Sequence, residues 1–135
     1  MENNDAVRLQ NLMNKGELHV LAEELKPFLA EGDLDARYLN CLFSIDPDES
    51  GEEMDGRRIT ELKALALKWH RPSLIDLAWA YRYGDDVEQD RGKFLQLMTA
   101  AALLGDEQAK RHVAEFIELE TDNAGLCAAL GVTEE

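Results

Sequence analysis

Ser73-Leu74-Ile75-Asp76-Leu77-Ala78-Trp79-Ala80-Tyr81-Arg82-Tyr83-Gly84, then Asp85-Asp86-Val87-Glu88-Gln89-Asp90, then Gly92 through Leu104 to Gly105, is the stretch that decides the fold. Leu74, Leu77, Ala78 and Tyr81 recur at helical spacing and place one apolar face on a helix that starts near Pro72 and stops at Gly84. Phe94, Leu97, Met98 and Ala101 do the same for a second helix that ends at Gly105. A proline in the first turn and a glycine just past the end are helix punctuation. Two helices joined by so short a loop lie antiparallel.

Working outward, the pattern repeats. Val7, Leu9, Leu12 and Met13 predict a first helix ending at Gly16. Leu18, Leu21, Ala22, Leu25, Phe28 and Leu29 predict a second ending at Gly32, with Pro27 expected to kink or split it. Asp33 is placed to cap a third helix carrying Ala36, Leu39, Leu42 and Phe43. A loop, Asp46 to Gly51, precedes a fourth carrying Ile59, Leu62, Leu65, Ala66 and Trp69. Beyond Gly105, Asp106 caps a helix with Ala109, Val113, Phe116 and Ile117, and Thr121 opens a last one closed by Gly131. No stretch alternates long enough to predict a strand. The expected fold is all-α: one domain of residues 1–135, made of an N-terminal helical hairpin (1–32), a degenerate repeat (33–72), a clear repeat (73–108) and a C-terminal half-repeat with a capping helix (109–135).

The repeat shows in the sequence itself. Ser73, Leu77, Ala78 and Tyr81 return as Ala109, Val113, Ala114 and Ile117, an offset of 36 residues. A fixed period in this range marks a helical solenoid. Residues 77–84, then Val87, Asp90, Lys93, Ala101-Ala102, Gly105 and Ala109, resemble the Sel-one-like repeat, a relative of the tetratricopeptide repeat. The chain departs from that pattern in carrying Ala78, Asp86 and Leu97 where the repeat has Gly, Gly and Trp. In the degenerate copy, Trp69 stands where a Gly is expected. The resemblance implies antiparallel helix pairs stacked in a short right-handed solenoid, with the first helix of each pair lining a concave groove. It also implies an adaptor or binding scaffold. Some small bacterial members look like immunity proteins that inhibit a cognate toxin.

Charge narrows the partner. The 135 residues carry 14 Lys plus Arg against 28 Asp plus Glu, a net charge of −14. Such a surface repels phosphate backbones and anionic membranes and steers basic proteins inward. No apolar run reaches the ~20 residues of a membrane span, and the N-terminus lacks a signal-peptide pattern. A cytoplasmic location is therefore expected. Cys41 and Cys127 lie in apolar helical runs without metal spacing and are expected to be buried free thiols.

Two acidic segments, Asp46–Arg57 and Asp85–Asp90, fall between the helices of successive hairpins and are expected to stack into one negative edge. Its candidate residues are Asp48, Glu49, Glu52, Glu53, Asp55, Asp85, Asp86 and Glu88. The first segment begins like a calcium loop but has Arg57 where the bidentate glutamate belongs, so calcium is not expected. The candidate groove face carries Asp76, Trp79, Arg82 and Tyr83, residue types that dominate protein interfaces. His19, His70 and His112 sit on separate elements without a metal pattern. With no phosphate loop or nucleophile elbow, an enzyme is not expected, nor a cofactor. The expected function is to bind another protein with a basic surface. The alternatives are a general scaffold or a self-associating protein whose end helices, Val7 to Met13 and Leu126 to Leu130, pair as a homodimer.

Overall fold

The structure, a computed structural model, describes residues 1–120 and 123–133. Among the described residues there are eight helices and no strand: α1 (Asn3–Asn14), α2 (Leu18–Ala30), α3 (Leu34–Asn40), α4 (Gly51–Ala66), α5 (Arg71–Tyr83), α6 (Arg91–Leu103), α7 (Glu107–Glu120) and α8 (Asn123–Leu130). From α1 to α7 each helix packs chiefly on its chain neighbours, the stacking expected of a helical repeat.

Four of the turns are the same turn. Gly16, Gly32, Trp69 and Gly105 each take a positive φ just past a helix end. The next residue's amide then reaches back to the last turn: Glu17 N to Leu12 O (3.0 Å), Asp33 N to Phe28 O (3.0 Å), His70 N to Leu65 O (3.1 Å) and Asp106 N to Ala101 O (3.3 Å). That same residue immediately precedes the following helix. Asp33 and Asp106 cap theirs by accepting from Ala36 N (2.9 Å) and Ala109 N (2.8 Å). So one residue ends a helix, the next begins another, and the chain reverses in the least length available. The longer connections, residues 41–50 and 84–90, are the two acidic ones. They lie at the opposite end of the stack from the α4–α5 and α6–α7 turns.

Two apolar clusters form the core, and α3 divides them. Leu9, Leu21, Leu25, Ala36, Leu39 and Phe43 pack α1, α2 and one face of α3 together. Cys41, with Ile59, Leu62, Leu77, Phe94, Met98 and Phe116, belongs to the larger cluster of α4 to α7, against which Tyr38 and Leu42 also pack. The predicted core face of α5 is buried as read: Leu74, Leu77, Ala78 and Tyr81.

Several expectations are corrected. Pro27 does not split α2, which runs one turn further to Ala30. The proline withholds one amide donor, and only three helical residues follow it. α3 ends at Asn40, so Leu42 and Phe43 follow it rather than ride on it. α4 starts at Gly51, which puts Glu52, Glu53 and Asp55 on its first turns instead of in a loop. It stops at Ala66, which leaves Trp69 in the turn. Val7 and Ile117, expected inside, are exposed. Cys41 is buried, but Cys127 is only half-buried. The Thr121 cap lies outside the described residues.

Candidate functional site

Trp79 of α5 stands between α3 and α7: α5 meets α3 through Asp76 and Tyr38 and meets α7 through Trp79 and His112, with a cleft on either side of Trp79. Its ring stacks on Tyr83 (centroids 5.8 Å apart, planes 11° from parallel). It meets His112 of α7 edge-on at 4.9 Å and Phe94 at 5.3 Å. Beyond α5 its ring contacts run to α6 and α7, and it lines a cleft with Leu42, Arg58, Ile59 and Leu62 of the preceding elements, half-buried between them. Arg82 is half-buried as well, its guanidinium over the rings of Phe94 (5.0 Å) and Phe116 (5.1 Å). Tyr83 is 67% exposed. Of the three, it is the residue left free to meet a ligand.

Two clefts meet at Trp79. One, of about 230 Å³, is walled by Leu42, Arg58, Asp76 and Asp85. The other, of about 250 Å³, is walled by Arg82, Tyr83, His112, Glu115 and Leu119. Asp76, expected on the open groove face, is half-buried, and one of its oxygens accepts the Tyr38 hydroxyl at 2.5 Å. Burial pushes the Asp76 carboxyl above the usual aspartate range. The Tyr38 hydroxyl, Arg58 and His70 pull against that push without cancelling it. Burial and the Asp76 charge push the Tyr38 phenol upward in turn. The pair ties α3 to α5 beside the first of these clefts.

The acidic edge is not one unbroken run of charge. Arg58 reaches from α4 to Asp86 (2.6 Å) and lies 3.8 Å from Asp55. Arg57 makes two bonds to Glu49, both 3.0 Å, and donates to the carbonyls of Asn40 (3.3 Å) and Phe43 (2.9 Å). The position that a calcium loop would give to its last carboxylate thus holds a guanidinium that closes the loop from inside. Arg57, then Ser44, holds the Glu49 carboxyl below the usual range. Glu53 closes a reciprocal cap with Ser50: Glu53 N to Ser50 Oγ is 3.1 Å and Ser50 N to Glu53 Oε1 is 3.2 Å. Asp48, Glu52, Asp85 and Glu88 are exposed and free of such work in the described residues. The sequence signal for Arg57 and Arg58 is only two adjacent arginines amid acids, because their partners, Glu49 and Asp86, lie in the loop before α4 and in the α5–α6 loop.

One buried constellation has a catalytic look. His70 Nδ1 lies 2.7 Å from Ser73 Oγ, and His70 Nε2 lies 2.7 Å from Asp35 Oδ1. Ser73 has no exposed surface at all, so no substrate reaches its hydroxyl. The arrangement stitches the start of α5 to the start of α3. No group of three or more potential metal ligands occurs among the described residues.

Comparison with known proteins finds no matching family model, no matching curated relative and no matching solved structure. No helix among the described residues is long and apolar enough to cross a membrane.

Proposed function

We propose that this chain is a non-enzymatic protein-binding module that holds a basic partner protein in the α3–α5–α7 groove. The observation that carries the reading is the Trp79–Tyr83 stack. It is an aromatic anchor with its outer ring in solvent, set between two clefts and flanked by Asp85 on one side and Glu115 on the other. Aromatic anchors beside complementary charge are what interface hot spots are made of. The exposed acids Asp48, Glu52, Asp85 and Glu88 draw the partner in, and the groove fixes it.

The Sel-one-like resemblance belongs to this proposal and gains support from backbone geometry. Trp69 and Asp86 stand where the repeat pattern has glycine, and among the described residues they are the only non-glycine residues with positive φ, at 58° and 59°. In the narrower form of the reading, the chain is a bacterial cytoplasmic immunity protein whose acids occupy the phosphate site of a basic nuclease toxin. A general adaptor is the alternative.

The test is capture from host lysate on the tagged full chain, with low- and high-salt washes and mass spectrometry of what is retained. A basic protein released by salt is expected. Tyr83→Ala, and separately Asp85→Lys with Glu88→Lys, should lose it while the melting temperature stays put. Asp86 and Glu53 are left intact because the Arg58 pair and the Ser50 cap use them. Equal capture by all variants would reject the groove and the edge together. The captured protein's activity, a nuclease or not, separates the immunity form from the adaptor.

A further inference from the structure

Asp76 stands apart from the other half-buried acids. Among the described residues each of those has a cation within 3.9 Å, except Asp106, which caps α7. Asp76 has neither. Its Oδ2 accepts the Tyr38 hydroxyl, and its Oδ1 has no hydrogen-bond partner among the described residues. No buried side-chain oxygen there lacks a partner, so Oδ1 is not sealed from solvent. Arg58 lines the same cleft but is drawn the other way, to Asp86 (2.6 Å) and Asp55 (3.8 Å). A carboxylate half out of water with no cation beside it carries a desolvation cost that an arriving cation offsets.

The cleft beside Asp76 has the size and chemistry of one side chain. It holds about 230 Å³, below the roughly 300 Å³ at which small-molecule sites begin. Leu42, Ile59, Leu62, Trp79 and Ala80 make its apolar walls. Asp76 lies in the first half of α5. Asp85, exposed and unpaired among the described residues, lies just past the end of that helix, roughly 10 Å further along its axis. Apolar walls between two carboxylates match a lysine or arginine side chain, whose apolar stem carries a charged head. The cleft on the other side of Trp79 offers no such match, because Arg82 already stands in it.

We infer that the cleft walled by Leu42, Asp76 and Asp85 takes one cationic side chain of the partner, a lysine or an arginine, with its stem on Leu42, Ile59 and Leu62 and its head at Asp76. Asp85 draws it in. The inference rests on the groove reading above and names the residue type that reading leaves open.

The test titrates the isotope-labelled full chain with N-acetyl-arginine amide, N-acetyl-lysine amide and N-acetyl-citrulline amide, a neutral mimic of arginine, at equal ionic strength. Nuclear magnetic resonance reads the Asp76 carboxyl and the two indole N–H groups. Both cations should give saturable shifts at Asp76 and Trp79, and none at Trp69, which lies in the α4–α5 turn away from the cleft. Bound arginine amide should move the Asp76 titration to lower pH, since a cation favours the charged form. Asp76→Asn keeps a carbonyl for the Tyr38 hydroxyl and should weaken both cations at least about fivefold, and Asp85→Asn should weaken them less. Citrulline amide binding as tightly as arginine amide overturns the inference. So do shifts that never saturate, or affinity unchanged in Asp76→Asn. Lysate capture separates the two readings. A basic partner lost on Tyr83→Ala but fully retained by Asp76→Asn leaves the groove reading standing and overturns this one. Capture of no partner rejects the groove reading, and the amide titration still decides whether the cleft takes a cation.

Discussion

Trp69 is 51% exposed and holds a backbone conformation that Gly16, Gly32 and Gly105 take in the three equivalent turns. A Cβ there crowds the following carbonyl, at a cost of about 1–2 kcal/mol for most residues. With half its ring in water, Trp69 recovers only part of that by packing. Trp69→Gly is expected to stabilise the fold by about 1 kcal/mol, read as a higher midpoint in urea with the slope unchanged. Asp86 takes the same conformation more easily, since short polar side chains tolerate it. It also anchors Arg58. Both positions could be suspected from the repeat alignment, because a missing glycine leaves its backbone duty to whatever replaces it.

At the scale of the element, α4 begins at Gly51, well before its first apolar core residue. The acids before Ile59 read as loop because they are dense and because Gly51 and Gly56 are weak helix formers. The Ser50–Glu53 reciprocal cap outweighs them by satisfying two amides that the helix start leaves open, and acids suit the positive end of a helix. Ser50→Ala should cost about 1 kcal/mol in chemical denaturation. The loop before α4 depends on Arg57 and Glu49 in a pH-dependent way. Because Arg57 holds the Glu49 carboxyl below its ordinary value, the ion pair contributes above that value, and its contribution is lost as pH falls through the lowered one. Thermal melts of Glu49→Gln and the unmodified chain should differ most at neutral pH and converge as pH drops below the ordinary glutamate range. A gap that stays constant with pH would mean that Glu49 acts through shape alone. Asp76 works in the opposite sense. Its raised carboxyl favours folding at low pH, and that contribution fades as pH climbs through the raised value.

For the whole molecule, charge and packing pull in different directions. Twenty-eight acids on a 135-residue chain repel one another across a compact surface. Arg57, Arg58 and Arg37 relieve that repulsion between elements: Arg37 with Glu61 (2.5 Å) joins α3 to α4, and Arg58 with Asp86 joins α4 to the α5–α6 loop. Surface pairs of this kind are worth little singly. Screening should therefore help more than it harms. Raising salt from about 10 mM to 150 mM, which shortens the screening length from about 30 Å to 8 Å, is expected to raise the melting temperature. A fall would mean that the cross-element pairs outweigh the net repulsion.

The sequence by itself determined the helices, their order, the capping turns at Gly16, Gly32 and Gly105, and the buried face of α5. Those follow from local rules: apolar spacing near 3.6, a glycine where φ must be positive, an aspartate where amides need a cap. It also marked Trp79, Arg82 and Tyr83 as one helix's aromatic and cationic side chains. Tertiary structure decided which of them is free. Trp79 and Arg82 are held by Phe94, His112 and Phe116, residues 12 to 34 positions away, and of the three only Tyr83 is left in water. It likewise decided that Asp76 is bound to Tyr38 and that Asp86 and Glu49 are paired with arginines. A side chain's partner is set by which elements the fold brings together, and no local rule of spacing carries that information.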